Sequence, residues 1–431
     1  MAGENSERLR LAFLICLHIV LSCVSLVCVS EIRTGFHILY DPSRLYGAIA
    51  VAIAFGAVAW LFTFADFSFG YLVGFYLYTM VLGYLWLNCF SDFDYDHRLF
   101  GLSAAVSAIA FLLPALFITS PIPQIYTMSA TAFDRLLTLI LLLAVPTIAV
   151  GAAYNFRLVS IDQIYDFRDK MASPAILSYL TVMNYSTLLP FAFAGFVERK
   201  AYWRSGAVLV LLLFFYPITL TKLALFAPIW LVAMLLLSRL VETRIAVVLS
   251  LLVPVLAGVL LVILFRAHAT PYFSMVNFRM LAVPSNGIDV YNDYFSRHDL
   301  THFCQISILK PMMNCPYREP LSVVMENTYN LGNFNASLLS TEGTASVGPL
   351  LAPISVFACG LVFALGNRLS AGLPPRFILI SAAILTQVFL NVPLTTALLT
   401  HGAAVMFLLW YVTPRAMFED NTAIEQTVVA G

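Results

Sequence analysis

The residues best suited to chemistry lie between positions 266 and 345. This stretch holds His268, His298 and His302, the cations Arg266, Arg279, Arg297, Lys310 and Arg318, and the acids Asp289, Asp293, Asp299, Glu319, Glu326 and Glu342. Aromatic residues run through it from Tyr272 to Phe334, a load that disordered chains lack. Aromatic faces stack on the apolar faces of sugar rings, while carboxylates, amides and Arg forks bind hydroxyls and phosphates. The mixture therefore fits a saccharide or a phosphate-bearing ligand. Tyr291 and Tyr294 are three apart, so on a helix they would share a face and form one wall of a sugar site. His298 and His302 are four apart, but no third ligand follows at a zinc spacing, so no metal site is expected. No Gly-rich phosphate loop occurs in the sequence, which argues against ATP-driven transport.

The elements that must position these groups are membrane helices. Of 431 residues, 61% are hydrophobic and 11% charged, against about 25% charged in an ordinary soluble domain, and a soluble globular protein is excluded. Twenty-three Lys and Arg balance twenty-three Asp and Glu, so nothing in the charge suggests a nucleic-acid partner. Apolar runs long enough to cross a bilayer fall at 11–30, 45–65, 67–89, 99–119, 136–154, 173–197, 205–220, 223–238, 245–265, 346–366, 377–394 and 396–413. The expected fold class is an all-α polytopic membrane protein of about twelve helices. A single helix over 205–238 would be about 51 Å long, so two shorter helices are expected to meet at Lys222. A weaker break at Asn391 and Pro393 leaves room for a re-entrant piece in the last pair of spans. The first run follows Arg8 and Arg10 but exceeds a signal-peptide core, and it is read as a retained span.

Four regions follow: a bundle of about nine helices at 1–265, a large loop at 266–345, further spans at 346–413 and a tail at 414–431. An interfacial belt would account for any one aromatic, Arg or His in the loop; it does not require 80 residues. With the N-terminus inside, eleven Lys and Arg of the short loops lie on the cytoplasmic side and seven outside. That bias puts both termini in the cytoplasm and the large loop outside. Cys304 and Cys315 share that loop, and an oxidising compartment would allow a disulfide between them. His18 and His401 fall within spans and are expected to hydrogen-bond a neighbouring helix.

The order of residues resembles a known family over this same stretch. NFRMLAVPSNGIDVYNDYFSRHDLTHF (Asn277 to Phe303), PYREP (Pro316 to Pro320) and NLGNFNASLLSTEGTASVGPLLAPI (Asn330 to Ile354) are similar to the Wzy-type oligosaccharide-repeat-unit polymerases of bacterial O-antigen, capsule and exopolysaccharide assembly. The matching features are Arg279 followed by Val283 and Pro284, the element Tyr291, Tyr294, Phe295, Ser296 and His298, the pair Asn333 and Asn335 before Ala336, and the glycines Gly343 and Gly348. Lys222 in TLTKLALF is a weaker match. The family commonly continues its Asn-Ala element with an Asp and an aromatic-Gly pair where this chain reads SLLSTEGTASVG, and Glu342 stands nearest to that acid.

The resemblance implies a membrane glycosyltransferase, similar in plan to others that use polyprenyl-phosphate donors, with no cofactor. Its substrates would be polyprenyl-diphosphate-linked oligosaccharides, its site the outer face of the bacterial inner membrane, and its pathway partners a flippase and a chain-length regulator. Negative charge grows on the lipid diphosphate as the glycosidic bond breaks, so Arg279, Arg266 and Lys222 are the candidate stabilising cations. His298 is the leading general base for the acceptor hydroxyl, with Asp293 and Glu342 as alternatives. Tyr291, Tyr294, Asn333 and Asn335 would bind sugar. A lipid-linked oligosaccharide flippase or transporter, and a ligase using the same chemistry on another acceptor, are the competing readings.

Overall fold

The computed structural model describes residues 2–418 apart from 161, 162, 165, 166, 168–170, 172, 266–270, 307, 308, 333 and 335. In chain order the helices are α1 (Ala2–Ile32), α2 (Leu45–Gly56) leading into α3 (Trp60–Phe64), α4 (Phe69–Asn88), α5 (His97–Phe117), α6 (Ala130–Tyr154), α7 (Ala175–Glu198), α8 (Tyr202–Thr219), α9 (Lys222–Leu240) and α10 (Thr243–Phe265). A π-helical stretch, Ser274–Ala282, then runs directly into α11 (Val283–Phe295). After α12 (Leu321–Tyr329), a π turn at Leu339–Thr344 leads into α13 (Ala345–Ser370), followed by α14 (Pro375–Phe389), α15 (Leu394–Leu399) and α16 (Ala403–Val412). Among the described residues the β pairing is an isolated bridge between Ile38 and Ser91.

Among the described residues, ten helical runs are long and apolar enough to cross a membrane, and α14 and α16 are apolar but shorter. The chain is an all-α polytopic membrane protein. The expected twelve spans become ten long helices and two short ones, because the final apolar stretch breaks at 390–393 and again at 400–402. The break at Lys222 is present: Leu220 ends α8 in the left-handed region at φ 47°, and the Thr221 hydroxyl caps α9 by accepting the Ala224 N–H.

The chain divides into two units. The first contains Met1–Ile118, Arg244–Leu365 and Phe389–Leu394. Its centre is α4, buried from Phe69 to Leu87 between α1, α2, α5 and α11. The Ser68 hydroxyl starts α4 by accepting the Tyr71 N–H at 3.1 Å. Gly83 admits α11, since a Cβ there would stand 2.3 Å from Ser285 Oγ, and Ser285 donates to the Met80 carbonyl at 3.0 Å. Small residues allow such close helix approach.

The start of the expected 266–345 loop is therefore not a surface loop. Its 271–295 part is a helical run packed on α1 and α4, and all of Pro284–Phe295 is buried. Val290, Tyr291, Tyr294 and Phe295 cover it on one side, while its polar residues reach α4. The end of the expected loop belongs to a broken helix. Gly343 at ψ −106° breaks the run just before α13 and Gly348 at φ 74° breaks it within the first turn of α13; the second angle strains any residue with a Cβ.

The second unit contains Thr119–Thr243, Gly366–Val388 and the chain from Thr395. Arg376 grips Glu198 through two hydrogen bonds of 2.8 and 3.0 Å, and Arg199 grips Asp134 at 3.0 and 2.8 Å. A π turn at Asn184–Leu188 inside α7 faces the break before α16. There the Ser186 and Thr187 hydroxyls donate to the His401 carbonyl at 2.9 and 2.6 Å.

Candidate functional site

Helix α11 carries Ser285, Asn286, Asp289, Asn292 and Asp293, each at most 1% exposed. Their three- and four-residue spacing makes a polar stripe along one buried helix. Three of them meet groups from α4 or the segment after it. Ser285 bonds the Met80 carbonyl, Asn292 Nδ2 donates to the Tyr84 hydroxyl at 2.9 Å, and Asp289 Oδ1 accepts from the Tyr95 hydroxyl. Among the described residues several atoms find no partner: both amide atoms of Asn286, Asp289 Oδ2 and Asn292 Oδ1, and in the facing segment the hydroxyls of Ser337 and Ser340. Each buried polar atom without a partner costs about 1–3 kcal/mol. Such a concentration in one region has the character of a binding site.

A hydrogen-bonded network joins this stripe to the short segment between α4 and α5. Asn88 Nδ2 donates to the His97 carbonyl at 3.0 Å, which fixes the amide and turns Asn88 Oδ1 toward His97 Nδ1, 2.7 Å away. His97 Nε2 lies 2.9 Å from the Phe93 carbonyl. Both ring nitrogens thus face acceptors. The Tyr95 hydroxyl lies 2.9 Å from Asn88 Oδ1 and 3.2 Å from the Tyr84 hydroxyl. Burial raises the Asp289 carboxyl to about 6, against the hydrogen bond from Tyr95, the nearby Ser91 hydroxyl and the charge of His97; Asp293 adds to the rise. The Tyr95 hydroxyl is held well above its usual value by burial and by Asp289.

At the end of α11, the Tyr294 ring stacks on His298 with centroids 3.9 Å apart and planes within 5°. His298 Nδ1 lies 2.8 Å from the Tyr294 carbonyl, which only accepts, so Nδ1 carries the proton of the neutral ring. Nε2, on an exposed side chain, is left with its lone pair, the arrangement of a base. Asp293 is fully engaged: Oδ1 pairs with Arg297 and Oδ2 accepts from Tyr329 at 2.6 Å. The Tyr329 hydroxyl is pushed up by burial and by Asp293. Tyr291 is 1% exposed and donates to the Phe334 carbonyl at 3.3 Å. Tyr291 and Tyr294 do share a helix side, but their surroundings are Phe334, Phe295, Tyr317 and His298. Cys304 and Cys315 form a disulfide beside this cluster.

Of the other expected site residues, Arg279 sits exposed on the π-helical stretch, and Glu342 lies buried in the broken helix, accepting from the Thr341 hydroxyl. Arg266, Asn333 and Asn335 lie outside the described residues. Lys222 belongs to the second unit and the other described site residues to the first. Arg279 and His298 are not brought together: from Arg279 to the last residue of α11 is about 24 Å at 1.5 Å per residue. The structure instead places Asp289, Asn286 and Asn292 between them.

Polar groups are not confined to the 266–345 region. His18 Nε2 lies 3.0 Å from Thr79 Oγ1, as expected of a span histidine, and Asn184, Ser186 and Thr187 are buried in α7. Among the described residues, no three His, Cys, Asp or Glu side chains are grouped to hold a metal ion. No protein-family model, curated protein or solved structure matches the chain.

Proposed function

We propose that the chain is a polymerase joining polyprenyl-diphosphate-linked oligosaccharide repeat units at the outer face of the bacterial cytoplasmic membrane. The observation that carries this reading is the buried stripe of α11, whose amide and carboxylate atoms lack partners at Asn286, Asp289 and Asn292. Donor and acceptor atoms set among tyrosines match the hydroxyls of a sugar better than an apolar or a purely anionic ligand. In the reaction, an acceptor sugar hydroxyl attacks the anomeric carbon of the donor. The carbon–oxygen bond to the diphosphate breaks, and the electron pair leaves with the lipid diphosphate. Arg279 is the cation assigned to that charge, since a guanidinium stays ionised and grips phosphate oxygens in pairs.

The test is elongation in detergent. Purified protein mixed with lipid-linked repeat units should build longer lipid-linked chains with no sealed compartment present. A second reading, transport of a lipid-linked glycan, draws on the polar groups inside spans: His18 with Thr79 in one unit, and Asn184, Ser186 and Thr187 at a broken helix in the other. Transport requires a sealed vesicle, so movement across vesicles without elongation in detergent selects it over the polymerase.

A further inference from the structure

The hydrogens of the network around Asp289 can be assigned one at a time. Asn292 Nδ2 donates to the Tyr84 oxygen, which leaves the Tyr84 hydrogen for the Tyr95 oxygen. The Tyr95 hydrogen then goes to Asp289 Oδ1. The other neighbour of Tyr95, Asn88 Oδ1, can also accept from it, but the contact to the carboxylate is the shorter one. Three donors in series thus point at one carboxylate oxygen, an arrangement in which each bond strengthens the next. It favours the ionised carboxylate and fixes its plane.

Asp289 Oδ2 remains, fully buried and without a partner among the described residues. An ionised carboxylate oxygen is an acceptor only, so what it can take is a hydrogen-bond donor, and among sugar groups that is a hydroxyl. Asn286 and Asn292 Oδ1 lie one helical turn away on either side, placed to hold neighbouring hydroxyls. Ten residues of the helical run separate Arg279 from Asp289, a rise of about 15 Å.

We infer that Asp289, rather than His298, is the catalytic residue that takes the proton from the acceptor hydroxyl, with Tyr95 as its positioning residue. This rests on the polymerase reading. The acceptor O–H donates to Oδ2; as the new carbon–oxygen bond forms, the proton passes to Oδ2 and the diphosphate departs with its electron pair. Burial makes the carboxylate a stronger base than an exposed one while leaving it ionised at neutral pH. The groups that bear on it are Tyr84 and Asn88 from α4, Ser91 and Tyr95 from the following segment, His97 at the start of α5, and Asp293 on its own helix.

The experiment measures kcat and KM for elongation against pH in detergent, using purified full-length wild type, Asp289→Asn, Tyr95→Phe and His298→Gln. Wild type should lose rate below a limb near pH 6. Asp289→Asn should lose at least about 100-fold in kcat with KM changed less than threefold. Tyr95→Phe removes a bond to the carboxylate, so its limb should move to higher pH while the rate above the limb persists. His298→Gln should keep the wild-type limb. Wild-type turnover by Asp289→Asn, or an unmoved limb in Tyr95→Phe, overturns the assignment while leaving the polymerase reading intact. Should Asp289→Asn fail to fold, the Tyr95→Phe limb decides alone. Absence of elongation by the wild type overturns both.

Discussion

Replacing Asp289 with Asn should change how stability depends on pH, whatever the chain acts on. The folded carboxyl sits at about 6, against an ordinary value of 3.8. The folded state therefore holds this proton more tightly than the unfolded state does. The stability that goes with protonation is complete below about pH 4 and is lost as pH rises through about 6. A gap of about two units corresponds to about 3 kcal/mol between the two ends of that window. Asn keeps an oxygen for Tyr95 and cannot ionise, so the variant lacks this loss. Thermal unfolding in detergent should give Asp289→Asn a Tm that gains on wild type by a few degrees between pH 4 and pH 7.5. The difference in slope carries the test, because any constant cost of the new amide cancels from it. Parallel Tm–pH curves for the two proteins would refute a buried, desolvated carboxylate at this position.

Two further predictions concern the frame around the site. Gly83→Ala puts a Cβ against Ser285 Oγ and should destabilise by about 1–3 kcal/mol; adding Ser285→Ala should recover part of that loss in thermal unfolding, whereas simple additivity would show that α4 and α11 do not meet there. Reducing the Cys304–Cys315 bond, which closes a separation of 11 residues, should cost about 3 kcal/mol, and membrane-impermeant maleimide should label these cysteines in intact cells only after reduction. Labelling without reductant would exclude the bond, and labelling confined to opened cells would reverse the expected orientation.

Much of the frame was legible in the sequence because apolar length is a direct physical requirement for crossing lipid. The runs ending near Ile32, Asn88, Tyr154 and Phe265 declare themselves by hydropathy alone. The Lys222 break was legible for the same reason, since a helix through it would outrun the bilayer. Helix α11 was not, because its polar residues dilute every hydropathy window, and a run such as Ser285, Asn286, Asp289, Asn292 and Asp293 looks like exposed loop. A signal was nonetheless present. Those five positions recur at three- and four-residue intervals beside Val290, Tyr291, Tyr294 and Phe295, a helical pattern with two faces.

The site was harder to read because its other half lies some two hundred residues earlier in the chain. The run Asp92, Asp94, Tyr95, Asp96 and His97 looks like the polar turn that any two spans need, and part of it is that: Asp96 accepts the Arg98 and Leu99 N–H groups and starts α5. Only the packing of α11 on α4 brings Tyr95 to Asp289. His298 and Asp289 show the consequence. By residue type alone His298 is the better base near neutral pH, and its ring is correctly oriented for the task. Yet an exposed imidazole needs no protein help to meet water, whereas a buried carboxylate served by a chain of donors at one oxygen and by no described residue at the other is costly to maintain. A fold that maintains it has a use for a donor at that point, and the pH–rate limb of Tyr95→Phe is the measurement on which the choice between the two bases turns.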